Sequence, residues 1–371
     1  MAGRKRFATI TDVAKAAGVS RATASRVLSG SEYPVSEELR VRILQAAEEL
    51  DYRPNALARG LRKEARSVIG VIVPSMSNPF YSELVEGIKD IAYEEQFTVL
   101  LAPTDGRVQR EEQLLNILIE QRVRGIAVAL AFGAAKFARA IKDSGVHVVA
   151  FDEQGEGVPG DCVAVDYREG ARAAAEYLIA LGHRRIGLVT APLTRTNRRQ
   201  ILEGYREAHA EAGLAVDEAL IAEADSEYQY GRHLYELDAG GQLTERLLGS
   251  GDPPTAIMAN NDLMAMGVLQ KLYEKNIRVP EEMSVVGFDD IAITRLTSPP
   301  LTTVRVPKYE MGRWVAEMLL RRFKAEESLA PVQMKVTPEL IVRATTAPPG
   351  AGGGLRSPLV PGRTAKAGDA S

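Results

Sequence analysis

From Arg66 onward, short apolar runs alternate with longer segments of helical period, and this alternation limits the fold more than any other feature. SVIGVIVP, TVLLAP, GIAVAL and HVVAFD form one series; RRIGLVTAP, TAIMAN and MSVVGF form a second. Runs this short and this continuously apolar suit strands buried on both faces, as in parallel sheets flanked by helices. Both series open on an Arg-x-Ile-Gly-like start, so the pattern predicts two doubly wound α/β lobes in succession. In such sheets ligands bind beyond the carboxyl ends of the strands. Those ends carry Asn78, Phe80 and Tyr81 after the first strand, and Asp152 at the end of HVVAFD. In the second series they carry Arg195, Asn261 with Asp262, and Asp289. Lone donors and acceptors converging between two lobes, with rings to stack on a flat face, suit a polyhydroxylated ligand. Taken singly, each residue also fits a cap or a turn, and Asp262 before LMAMGVL reads as a helix N-cap.

Ahead of this body lies a segment with a different period. Ile10, Val13, Ala14 and Ala17 fall on one helix face, with Thr11 placed to cap its start and Gly18 to end it in the left-handed conformation. A second helix opens with Ser20 as N-cap and turns Ala24, Val27 and Leu28 inward. Two short helices joined by a tight glycine turn predict a helix-turn-helix whose second helix enters the major groove. Arg21, Ala22 and Arg26 face outward near its start, and arginine can grip guanine with two parallel hydrogen bonds. Ser20, Thr23 and Ser25 are small donors suited to phosphates. An ordinary helical hairpin with a solvated face is the competing reading. A third helix starting at Ser36 is expected to bury Leu39, Ile43, Ala47 and Leu50. Pro54 then disfavours helix at Arg53, so Asn55 can cap a new element, ALARGLR, of about two turns weakened by Gly60. Isolated helices below about 12–15 residues are marginal in water, so this one is expected to fold only against a partner. Leu57 and Leu61 share a face and suit an apolar wedge in the minor groove; a plain linker is the alternative.

Charge agrees with this division. Residues 1–66 hold 13 Lys/Arg against 8 Asp/Glu, while the remainder holds 33 against 41, giving −3 overall. A basic head on an acidic body suits polyanion binding at one end. The single cysteine, Cys162, excludes an internal disulfide, argues against a metal cluster, and reads as a buried strand residue in CVAV. MAGRKRF has no apolar stretch after it, and no run of about 18 apolar residues occurs, so neither a secretory signal nor a membrane span is expected and the cytoplasm is the expected compartment. GEGVPG (155–160) spells GxGxxG but leads into the apolar run CVAV rather than into a helix, no GxxxxGK[ST] or GxSxG follows a strand, and His147, His183, His209 and His233 show no metal or triad spacing. An enzyme is therefore not expected, nor a cofactor or a metal.

TITDVAKAAGVSRATASRVLSG, YRPNALARGLR, IGVIVPSMSNPFY and SVVGFDDI, in this order and spacing, resemble the lac repressor/purine repressor (LacI/GalR) family of bacterial transcription regulators. The resemblance runs from about Thr9 to Thr345. It implies an all-α helix-turn-helix head and an α/β, periplasmic-binding-protein-like sensor. It implies DNA contacts by Thr9, Ser20, Arg21, Ala22, Thr23, Ser25 and Arg26, and by Asn55, Leu57, Ala58 and Leu61, with Leu61 intercalated beside its twin at the centre of a pseudo-palindromic operator. The family's ligand positions match at Asn78, Phe80, Asp152, Asn261 and Asp289, with Tyr81, Arg195 and Asn197 added to the candidate set. Three positions depart from the pattern. Glu153 follows Asp152 where many relatives have arginine, and Ile201 stands where the family places a ligand-gripping arginine, for which Arg195, Arg198 or Arg199 are possible substitutes. Ser226 stands where relatives have an aromatic, within a lengthened segment (225–242) that also holds Tyr228, Tyr230 and Tyr235.

The expected organisation is a head at 1–54, a hinge helix at 55–65, two lobes over 66–346 and a disordered tail at 347–371. Lobe 1 is expected over about 66–165 plus 293–325, and lobe 2 over about 166–292 plus 326–346. The expected function is a homodimeric DNA-binding regulator, a repressor, whose operator affinity follows a small-molecule effector, a sugar or sugar derivative. A purine- or nucleoside-responsive repressor, an activator with a protein co-effector, and a secreted two-lobed sugar-binding protein are the rivals.

Overall fold

The computed structural model describes residues 8–28, 34–52, 68–129, 141, 144–152, 160–225, 235–327 and 329–350. The chain divides between Ser67 and Val68 into two compact units. In the first, α1 (Ile10–Ala16), α2 (Arg21–Leu28) and α3 (Glu37–Glu49) enclose a small core of Val13, Ala14, Ala17, Ala24, Val27, Ile43, Ala46 and Ala47. Ser36 caps α3 as expected, its side chain accepting from Leu39 N. Leu50, expected inside, is exposed, because the helix ends at Glu49 and its last turn points Ala46 and Ala47 inward instead.

The second unit holds two six-stranded sheets. Its elements, in order, are β1 (Val68–Val73), α4 (Pro79–Glu94), β2 (Thr98–Pro103), α5 (Val108–Glu120), β3 (Gly125–Val128), β4 (His147–Asp152) and β5 (Asp161–Val165). Then follow α6 (Tyr167–Ala180), β6 (Ile186–Thr190), α7 (Thr196–Glu211), β7 (Ile221–Glu223), α8 (Tyr235–Leu248), β8 (Ala256–Ala259), α9 (Asp262–Glu274) and β9 (Ser284–Asp289). The chain ends in β10 (Thr302–Arg305), α10 (Lys308–Lys324), β11 (Gln333–Val336) and β12 (Glu339–Ile341).

The first sheet runs β11-β5-β4-β3-β1-β2 with every pairing parallel. The second runs β12-β10-β9-β8-β6-β7, parallel except for β12 against β10. The central strands β3, β5, β6, β8 and β9 are buried along their whole length, which is why they read as continuous apolar runs. Cys162 is buried in β5, as expected. TVLLAP differs: β2 is an edge strand, so Leu100 (41 % exposed) and Leu101 (36 %) face out.

The lobes exchange chain differently from the expectation. β10 lies in the second sheet beside β9, so residues up to Arg305 belong to lobe 2 rather than lobe 1. β11 pairs with β5 in the first sheet, so that part of 326–346 belongs to lobe 1. Only α10 (in lobe 1) and β12 (in lobe 2) follow the expected division of this region. The reason is the order of connections: the strand pairing with β9 comes before the returning helix. Ala347, expected in the disordered tail, is instead tied to lobe 2: its N donates to Ser284 Oγ and its O accepts from His183 Nε2 or the Ser284 hydroxyl, while residues 351–371 lie outside the described residues.

Helix α10 returns to lobe 1 and packs against α4 at a crossing made by two glycines. A Cβ on Gly87 would lie 2.1 Å from Tyr309 O, and one on Gly312 would lie 2.0 Å from Leu84 O. This backbone-to-backbone approach fixes α4, whose N-terminus forms one wall of the cleft between the lobes.

Candidate DNA-reading and ligand-binding sites

In the head, the cap of α1 is two residues earlier than expected. Thr9, not Thr11, closes a capping box with Asp12: Thr9 N donates to Asp12 Oδ2 at 2.8 Å and Asp12 N donates to Thr9 Oγ1 at 3.4 Å. Gly18 takes the left-handed conformation, φ 64°, and turns the chain into α2. Ser20 caps α2, accepting from Thr23 N at 3.0 Å and sharing a 2.8 Å hydrogen bond with the Thr23 hydroxyl. The Ser20 oxygen is therefore engaged by the helix itself. Arg21 and Ala22 are exposed, whereas Thr23, Ser25 and Arg26 are half-buried. No acidic residue stands in the first turn of α2, so its positive dipole end and Arg21 present one sign of charge to an anion. Asn55, Leu57, Ala58 and Leu61 lie outside the described residues.

In the second unit, side chains from both lobes line a narrow, partly open cleft. Lobe 1 contributes Asn78, Phe80, Tyr81 and Asp152. Asn78 caps α4, its Oδ1 accepting from Phe80 N at 2.9 Å, which leaves the amide nitrogen for a ligand. Pro79 at the first helical position fixes the approach. Phe80 and Tyr81 meet edge to face, ring centroids 5.1 Å apart. Tyr81 donates to Asp152 Oδ2 at 2.9 Å, and Tyr167 donates to Oδ1. Burial pushes the Asp152 carboxyl above the usual range, against the pull of these two phenols and of the Arg195 and Arg198 charges. Burial also raises Tyr167 well above an ordinary phenol, so it stays a donor.

Lobe 2 contributes Asn197, Arg198, Ile201, Glu236, Asn260, Asn261 and Asp289, with Ala191 and Tyr167 completing the wall. Asn261, not Asp262, caps α9, accepting from Met264 N at 2.8 Å. Asp262 is fully buried behind it, its Oδ2 accepting from Ile291 N at 2.9 Å and its Oδ1 from Thr303 Oγ1 at 2.5 Å. Burial lifts its carboxyl to about 7. Asp289 is lifted well above the carboxylate range by burial and by the nearby Asp262.

Asp152, Asp289 and Asp290 all sit at positive φ (75°, 116° and 53°), a strain of roughly 1–3 kcal/mol each that concentrates at functional sites. Lys308 braces the last two. Buried at the start of α10, its Nζ donates to Asp289 O at 2.7 Å and Asp290 O at 3.0 Å, and pairs with Glu83 of α4 at 3.5 Å.

The structure thus brings together Asn78, Phe80, Tyr81, Asp152, Asn197, Ile201, Asn261 and Asp289 from the sequence-derived set. Arg195 is buried and acts electrostatically on Asp152, but it does not line the cleft. Of the three arginines considered as substitutes at Ile201, Arg198 lines it; Arg199 is exposed and donates to Leu193 O and Thr194 O. Ile201 supplies an apolar wall in place of a cation. Ser226, Glu153, Tyr228 and Tyr230 lie outside the described residues, and Tyr235 packs into the lobe 2 core. Sequence reasoning missed Tyr167, Glu236 and Asn260. Asn260 directly follows β8 and Tyr167 stands two residues past β5, so both could have been found by that rule; Glu236 could not.

A helix-turn-helix unit and a two-lobed α/β body with a polar cleft define a class, the ligand-responsive DNA-binding regulators. Residues 9–55 match the family described as bacterial regulatory proteins, lacI family, and residues 175–346 match the periplasmic binding protein-like domain. The ribose operon repressor of Escherichia coli (strain K12) is 35% identical over 341 residues, covering 91% of this chain and 100% of that protein. The HTH-type transcriptional repressor PurR of Aliivibrio salmonicida is 32% identical over 338 residues, covering 91% and 98%. Among solved structures, the transcriptional regulator CelR–cellobiose complex matches with a TM-score of 0.67 and 31% identity over 91% of this chain and 99% of that one. The lac repressor dimer bound to operator and the anti-inducer ONPF matches with a TM-score of 0.74 and 27% identity, covering 92% and 100%. The chain belongs to the lacI family of bacterial regulatory proteins, and its function is regulation of transcription through DNA binding.

Proposed function

We propose that this protein is a repressor that binds a pseudo-palindromic operator as a homodimer and whose hold on DNA follows occupation of the cleft by a small neutral carbohydrate. The carrying observation is the cleft itself: Asn78, Asn197, Asn261, Asp152 and Asp289 converge from two lobes beside the Phe80 ring and the Ile201 face. Such a mixture of donors, acceptors and flat apolar surface matches sugar hydroxyls and the C–H face of a sugar ring. The related regulator solved with cellobiose supports the same class of ligand. The described lining residues include no serine, cysteine or histidine, which favours binding over nucleophilic catalysis.

Dimerisation is supported by the operator-bound lac repressor dimer and by exposed apolar residues in both lobes, among them Leu100, Leu101 and Ile117 in lobe 1 and Leu296 in lobe 2. Ligand-driven lobe closure acts by changing the spacing of the two hinge segments, residues 55–65, between reader and sensor. A protein that reads DNA works in the cytoplasm; no helix among the described residues is long and apolar enough to cross a membrane.

The similarity to PurR favours a second reading, a purine ligand stacked on Phe80. A thermal-shift screen with D-ribose, D-glucose, cellobiose and hypoxanthine separates the two. Stabilisation by a sugar, with altered affinity for a duplex selected from a randomised pool, is the expected result. Stabilisation by hypoxanthine alone rejects the carbohydrate.

A further inference from the structure

The lobe 2 wall of the cleft holds two buried acceptors that the folded chain leaves unsatisfied. Glu236 is 4 % exposed in the first turn of α8; burial raises its carboxyl against the pull of its own backbone N–H, the Arg198 and Arg195 charges and the Asn261 side chain, and its Oε1 has no partner. Asn260, at the end of β8, holds Oδ1 without a partner on the same wall. The Arg195 and Arg198 charges act on Glu236 from nearby, yet its Oε1 keeps no hydrogen bond. Arg198 Nη1 donates to Pro192 O at 2.7 Å, and the Asp152 carboxylate is filled by two phenols. Buried polar atoms in folded proteins are almost always hydrogen-bonded, and an orphan at a binding site is a place kept for a ligand group.

The chemistry of that group follows from what is missing. Both orphans are oxygen acceptors, so the ligand must bring protons. A phosphate or carboxylate group in their place brings none and would leave both oxygens unsatisfied. We infer that Glu236, with Asn260 on the same wall, is the specificity determinant of this cleft. It selects a ligand that presents adjacent hydroxyl or amine donors to lobe 2 and rejects phosphorylated or carboxylated counterparts. The inference rests on the cleft being the effector site and narrows the carbohydrate to an uncharged one.

The alternative role for Glu236 is structural: an acidic residue in the first turn of a helix, tied to Asn261. The two roles differ in what Glu236→Gln does. Glutamine keeps the oxygen that accepts from Asn261 and removes the buried charge, but places an N–H₂ where the orphan acceptor stood. If Glu236 serves a ligand, the unliganded variant melts at or above the wild-type temperature; if it serves the fold, the variant melts below it.

The full-length wild type and Glu236→Gln are compared by scanning fluorimetry, alone and with D-ribose, D-ribose 5-phosphate, D-glucose, D-glucuronate and hypoxanthine. A neutral sugar should raise the wild-type melting temperature while its anionic counterpart does not, and the variant should bind that sugar at least about tenfold more weakly. A variant that melts below wild type overturns the inference. So does unchanged affinity for the stabilising ligand, or stronger stabilisation of wild type by an anionic sugar than by its neutral parent. If hypoxanthine alone acts and its effect is lost in the variant, the carbohydrate reading fails and donor selection by Glu236 stands. If no probe acts on either protein, the melting temperature of the unliganded variant decides.

Discussion

Gly312→Ala should destabilise the protein even though the position lies inside a helix, where alanine is normally preferred. Propensity alone favours alanine over glycine by about 1 kcal/mol. At this site, however, the added methyl would stand 2.0 Å from Leu84 O and 2.9 Å from Leu84 C of α4. The closer contact is roughly 1.5 Å inside van der Waals distance, and its partner is backbone, which cannot swing aside. Relief requires α10 and α4 to separate, and overpacking of this kind costs about 1–3 kcal/mol. The clash wins. A domain of this size loses about 2 °C of melting temperature per kcal/mol, so calorimetry should show a fall of roughly 2–6 °C. Because α4 carries Asn78, Phe80 and Tyr81, ligand affinity should weaken as well. Gly241→Ala, within α8, is the control. Its methyl would meet only Gly267 O at 3.6 Å and Lys271 Cε at 3.8 Å. There propensity should prevail, with a gain of about 0.5–1 kcal/mol. If Gly312→Ala stabilises as Gly241→Ala does, the close helix crossing does not exist as described.

Asp262 has its carboxyl raised from 3.8 to about 7, so the folded state holds a proton that the unfolded chain has lost. That contribution is complete below the unfolded value and disappears as pH rises through the folded one; Asp262→Asn should therefore flatten the decline in melting temperature between these limits. Lys308→Met should lower stability by about 2–3 kcal/mol in urea titrations, because it strips the donor from the carbonyls of Asp289 and Asp290; an unchanged midpoint would remove Lys308 as their brace. Arg21→Ala should lose about 1–3 kcal/mol of base discrimination in selection from a randomised duplex pool, whereas a uniform loss across all sequences would mean that Arg21 contacts phosphate.

Much of this architecture is legible in the sequence for a physical reason. Strands such as β1, β6 and β9 are covered by helices on one or both faces, so their apolar runs are continuous and unambiguous. The strands β10, β11 and β12 are three or four residues long and mix polar with apolar side chains, so nothing local marks them. Their sheet membership is a tertiary fact, and the expected lobe boundaries failed at that point. The cleft divides in the same way. Asn78, Asp152, Asn261 and Asp289 stand at the ends of strands, where the fold class says to look. Glu236 stands within the first turn of a helix, and its importance comes from a missing hydrogen bond, which a sequence cannot display. At helix starts Ser20 and Ser36 cap where the sequence places them, whereas Thr9 and Asn261 take the caps assigned to Thr11 and Asp262.

The exchange of chain between the lobes has a consequence for biosynthesis. The sheet that begins with β1 is not complete until β11 has been made, and its helix α10 follows every strand of lobe 2 except β12. On the ribosome, the lobe begun first is finished last. A nascent chain halted after Arg305 would hold most of lobe 2 already paired, while β5 still waited for its outer neighbour and α4 for its glycine-matched partner.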